Sequence, residues 1–164
     1  MLHPADRDPV EFVRLPEAAL AGRLDARGCR PGQSNVAGAV TIDVLFRDHA
    51  DGEGIGKLSR SWSGDRFLHV ACARGPELLW VTRWDDAESA RAFAERYRAI
   101  AESVARAAGF EAAATVALDE RSAVVASPGV ADLALVALQG SEIRAYDSFD
   151  AWWSEGCFPT GCPQ

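Results

Sequence analysis

The residue types best suited to chemistry lie in four places. The run Asp48-His49-Ala50-Asp51-Gly52-Glu53 sets three carboxylates and an imidazole around a glycine. Hard oxygen ligands of this kind hold Ca²⁺ or present a metal-bound water for hydrolysis. The spacing departs from a twelve-residue calcium loop and lacks its closing glutamate, so a solvated polar loop is the simpler account and no metal ligand is assigned. Asp65-Arg66 joins an acid to an anion binder, but a turn residue with an ion pair at the entry to a hairpin uses the same two types. Trp62, Trp80 and Trp84 are three of the five tryptophans. They could form an aromatic platform for a glycan or a peptide, yet an indole buries a large area and asks for one partner, so core positions are expected first. Trp152 and Trp153 precede Cys157 and Cys162 and read either as a partner-binding tip or as a cover over one end of the core.

His3, His49 and His69 stand in unrelated settings, without the His-x-x-x-His spacing of a zinc helix. A Gly-x-Ser-x-Gly elbow, a phosphate-binding loop and a dinucleotide fingerprint are all missing. No catalytic residue, metal or cofactor is therefore assigned, and the residues weigh against an enzyme. Trp62, Arg66, Trp152 and Trp153 are the candidate binding residues. Asp65, Trp80, Trp84, Asp85 and Phe93 are expected to be structural.

The elements that must position these residues are legible from periodicity. Pro4, Pro9, Pro16 and Pro31, with Gly28, Gly32 and Asn35, make residues 1–35 an extended, loop-rich arm, with a short helix over 16–23. Residues 36–49 fit both a strand (Val40, Ile42, Val44, Phe46) and a helical face (Ile42, Leu45, Phe46), with helix preferred. A short helix over 56–62 leads to a turn at Gly64-Asp65. Strands over 66–73 and 78–84 then form an antiparallel hairpin. Asp85 reads as an N-cap with Glu88 three residues on. Ala90, Phe93, Ala94, Tyr97, Ala101 and Val104 continue the helical period to Gly109, a helix of about 23 residues and ~35 Å. Strands over 112–118 and 122–127 and a helix over 130–138 follow. The expected fold is α+β: a small, mostly antiparallel sheet of about four strands packed against the long helix at about 86–108. Residues 36–140 make the core domain, and 141–164 a Cys-bearing tail packed on it.

A chain of 164 residues with 48% hydrophobic content can bury one sizeable core. The net charge of -7 repels phosphate backbones, so nucleic acid is not an expected partner. No apolar run approaches the ~20 residues needed to span a bilayer. Lys57 is the single lysine against many arginines and alanines, a composition of bacterial type. Cys157 and Cys162 could close a small disulfide ring in a turn-rich loop. Cys29 lies in another loop, and Cys72, in a strand, reads as a small buried hydrophobe. Disulfides persist in oxidising compartments, so periplasm or cell surface is favoured over cytoplasm, while the polar, Pro-broken start fits either a cytoplasmic protein or one whose export signal has been removed.

Three segments carry a resemblance: Ser61-Trp62-Ser63-Gly64-Asp65-Arg66, Trp80-Val81-Thr82-Arg83-Trp84-Asp85 and Ser89-Ala90-Arg91-Ala92-Phe93. Together they resemble an uncharacterised module of secreted and surface prokaryotic proteins, found in halophilic archaeal surface proteins and some bacterial lipoproteins and metallopeptidase-associated chains. Its pattern is a Gly-Trp-Gly-Gly-Asp-Arg turn, a hairpin, Trp-x-Thr-x-Trp-Asp, then Asp-Ala-x-x-Phe in the next helix. Ser61 and Ser63 stand in place of two glycines, and Ser89 in place of an aspartate. The resemblance implies an exported α+β module and carries over no catalytic residue. The expected function is a non-catalytic exported binding or assembly module of a bacterial envelope or secreted complex, with a protein partner. Two alternatives stand beside it: a small metal-dependent hydrolase using the Asp48–Glu53 loop, and a cytoplasmic regulatory partner protein.

Overall fold

A strand that is apolar on both sides needs cover on both sides, and one such strand organises this chain. The computed structural model describes residues 10–49, 54–109, 111–139 and 144–146. In chain order the elements are β1 (Phe12–Arg14), α1 (Glu17–Asp25), β2 (Cys29–Asn35), α2 (Gly38–His49), α3 (Ile55–Arg60), β3 (Trp62–Cys72), β4 (Gly75–Trp84), α4 (Ala87–Ala108), β5 (Ala114–Ala117), β6 (Ser122–Ala126), α5 (Ala131–Gln139) and β7 (Arg144–Tyr146). Along β4, Leu79 and Val81 face one way and Trp80 and Trp84 the other, all buried. The sheet runs β2-β3-β4-β6-β5 and every neighbouring pair is antiparallel.

Each face has its own core. On one, Leu20 and Leu24 of α1 and Ala134, Ala137 and Leu138 of α5 close over Leu68, Val70, Leu79, Val81 and Val124. On the other, α2, α3 and α4 close over Trp80, Trp84, Ala123 and Val125 through Ile42, Phe46, Ile55, Leu58 and Phe93. The expected α+β class, with a long helix packed on an antiparallel sheet, is the class observed. β1 and β7 pair with each other outside the main sheet. Among the described residues, no helix is long and apolar enough to cross a membrane.

Three expectations are corrected. Residues 29–35 are not loop but the edge strand β2, so the sheet has a fifth strand. Pro31 and Gly32 misled because an edge strand tolerates them: its outer side makes no ladder bonds. Second, Gly64-Asp65 is not a turn. β3 begins at Trp62, and the register slips between Trp62 and Gly64, a β-bulge inside a long strand. Third, the N-cap of α4 is Asp86, whose side chain accepts from the Ser89 amide at 2.7 Å; Asp85 points elsewhere. Gly109 closes the helix in the left-handed region at φ 74°. Of residues 36–49, Gly38–His49 form helix α2: Ile42 and Phe46 are buried one turn apart, while Val40 is 77% exposed.

Candidate functional site

The bulge at the start of β3 splits one short segment between the two faces of the sheet. Asp65 lies on the α2 side and is 1% exposed. Its Oδ1 accepts from the Ala37 amide at 2.7 Å and its Oδ2 from the Gly38 amide at 2.8 Å, the two N–H groups that open α2. Trp62 Nε1 donates to the same Oδ2 at 3.1 Å. The carboxylate thus caps a helix 27 residues away in sequence, where the positive end of the helix dipole favours it. Burial pushes the Asp65 carboxyl above its ordinary range; the Gly38 and Ala37 amides and the Trp62 indole pull it back. The Trp80 indole N–H adds to that pull from outside hydrogen-bond geometry, and makes no hydrogen bond of its own.

Trp80 and Trp84 are buried, at 5% and 0% exposure. Trp84 Nε1 donates to Thr82 Oγ1 at 2.8 Å. Phe93 sits at the centre of the aromatic group, with ring centroids 5.0 Å from Trp84, 5.5 Å from Trp80 and 5.9 Å from Phe46. Trp62 is half-buried opposite Trp84. Arg66 lies on the other face from Asp65, where its Nη2 donates to Ser34 Oγ at 2.7 Å. The expected Asp65–Arg66 ion pair is replaced by the helix cap, because adjacent residues of a strand point to opposite faces.

On that opposite face a polar cluster gathers residues that spacing did not single out. Arg83 Nε donates to Glu11 Oε2 at 3.1 Å and Arg121 Nη2 to Glu11 Oε1 at 2.6 Å. Arg83 Nη1 also reaches Ser122 Oγ at 3.1 Å, and Arg121 Nε the Trp84 carbonyl at 2.8 Å. Ser63 Oγ donates to Asp85 Oδ1 at 2.7 Å, which is the role Asp85 has instead of the cap. The Glu11 amide donates to the Ser63 carbonyl at 2.6 Å. Gly64 makes this approach feasible: a Cβ there would run into the Glu11 carbonyl. The serine at 61, where the resembling module has glycine, bonds the serine at 89, where that module has aspartate, at 2.9 Å.

At the far end of the β2–β3 pair, Cys29 and Cys72 face each other and form a disulfide, with Cα atoms 4.2 Å apart. Cys72 is therefore half of a cross-link and not simply a small hydrophobe. A cavity of about 50 Å³ beside the bond is lined by Arg27, Arg74 and Glu77 among others, room for a water or two. Cys157, Cys162, Trp152 and Trp153 lie outside the described residues, as do His3 and Asp51–Glu53. Asp48 and His49 are exposed at the end of α2. Among the described residues no three His, Cys, Asp or Glu side chains gather as a metal site.

Fold and site together define an α+β domain with a disulfide-clamped antiparallel sheet and an arginine-lined polar cluster at the opposite end. The chain belongs to the family described as Domain of unknown function (DUF8575), whose model matches residues 25–147. Comparison with curated proteins gives no match, and comparison with solved structures gives none.

Proposed function

We propose that the chain is a non-catalytic binding or assembly module of an extracytoplasmic bacterial complex, working through a protein partner. The observation that carries this reading is the Cys29–Cys72 disulfide, which ties the edge strand to the sheet and persists only where thiols are oxidised. The use made of the polar side chains supports the other half. Asp65 spends its carboxylate on helix and indole N–H groups, Asp85 takes the Ser63 hydroxyl, and Glu11 is held between two arginines. These groups hold backbone and one another in place, an economy suited to a scaffold that presents a surface. The resemblance to a secreted prokaryotic module points the same way.

The test is the thiol state of protein taken from its own cells without reductant. Alkylation under denaturing conditions followed by mass mapping should leave Cys29 and Cys72 unmodified. Full alkylation of both would overturn the extracytoplasmic assignment.

A further inference from the structure

Residues 11–15 are bound to the rest of the molecule as a peptide is bound to a receptor. The segment is extended, and its β1 part pairs antiparallel with β7, Phe12 opposite Tyr146 and Arg14 opposite Arg144. Its amide at Glu11 bonds the Ser63 carbonyl, over the space that Gly64 leaves open. Alternate side chains are taken into separate places: Glu11 between Arg83 and Arg121, and Val13 and Leu15 into the core at 2% and 4% exposure. Backbone pairing with alternate side-chain pockets is the strand-addition mode of peptide recognition. Ser63, Arg83, Arg121 and β7, which hold Glu11 and pair with β1, lie within residues 25–147, and the segment itself lies outside them.

The arginines set the chemistry of the occupant. The Arg83 side chain is 15% exposed, and the two guanidinium groups converge on one carboxylate, one on each oxygen. Without it their cationic forks would be left with hydroxyl and carbonyl acceptors and Asp119, which lies 3.9 Å from Arg83 Nη1. A half-buried pair of this kind favours a carboxylate over a neutral side chain.

We propose that this groove is a docking site for an extended acidic segment of a protein partner, with the pattern Glu-x-apolar-x-apolar, and that residues 11–15 fill it in cis as a displaceable plug. The inference rests on the binding-module reading and names its partner's chemistry.

The test uses the full chain with Glu11→Ala and Val13→Ser, its fold checked by near-ultraviolet circular dichroism. A labelled peptide of residues 9–16 is titrated by fluorescence anisotropy. Saturable binding is expected, at least tenfold weaker to the unsubstituted chain and at least tenfold weaker for the peptide carrying Glu11→Gln. No binding to the folded variant, or equal binding of the two peptides, overturns the proposal. If the variant does not fold, hydrogen exchange on the unsubstituted chain decides: amides 11–15 should exchange at least tenfold faster than those of β3 and β4. Exchange at the same rate as β3 and β4 overturns the displaceable plug. A dimer in sedimentation that Glu11→Ala dissolves would assign the groove to a second copy instead. None of these outcomes bears on the thiol state, so failure here leaves the compartment assignment to its own test.

Discussion

Asp65 is a carboxylate withdrawn from water to hold two elements together. A buried charge of this kind is tolerated because the Ala37 and Gly38 amides, at the entry to α2, and the Trp62 indole donate to it. Asp65→Asn keeps one acceptor but turns an amide N–H₂ toward donors, and should cost about 1–3 kcal/mol. The pH dependence has a definite sign. Because burial raises the folded pKa above the ordinary 3.8, the folded state holds this proton more tightly than the unfolded chain. Asp65 therefore contributes most at the acid end, below 3.8, and less as pH rises through the raised value. Urea melts of the native chain and Asp65→Asn across this range should show the native advantage shrinking with rising pH; an advantage that grows would refute it. The motif Trp-Ser-Gly-Asp-Arg singled out the aspartate, but the turn and ion pair read for it give way to a helix cap. Its partner was not legible, because the contact joins residues 27 and 28 apart and nothing local encodes it.

At the scale of elements, α4 shows what a strong period can reveal. Its buried positions Ala90, Phe93 and Ala94 follow the spacing that marks them in the sequence. Phe93 touches aromatic rings from α2 and β4, so Phe93→Ala should cost about 3–5 kcal/mol. Val104 on the same helix is 48% exposed, and Val104→Ala should change stability by less than about 0.5 kcal/mol. Thermal melts of the two variants check the contrast; equal losses would place the helix face wrongly. The hairpin and the β5–β6 pair were legible for the same reason. β2 was not, since proline and glycine inside it resemble a turn, and the bulge at Gly64 was not, since a register slip leaves no trace in hydrophobic alternation. The arginine-lined groove depends on Glu11 meeting Arg121 across 110 residues. Gly64 within a polar motif was its one local sign.

For the molecule as a whole, the disulfide is the longest covalent constraint described. It joins positions 43 residues apart, and the loop entropy it removes from the unfolded chain is on the order of 4 kcal/mol. Replacing both cysteines, Cys29→Ser with Cys72→Ser, should lower the urea midpoint by about that much stability while far-ultraviolet circular dichroism stays native in the cold. The rest of the β2–β3 ladder, from Arg30 to Asn35 with one slip between Pro31 and Ser34, also holds the edge strand to β3. An unchanged midpoint would show that the cross-link restrains nothing the ladder does not already hold.

The pairing of β1 with β7 also fixes how the domain bears a load. The chain enters beside Phe12 and leaves beside Tyr146, and these two residues are opposite one another on the same rung. A pull applied through both flanks therefore meets the Phe12–Tyr146 rung first, together with the Glu11 contacts to Ser63, Arg83 and Arg121, and then opens the three-rung ladder like a zipper from that end.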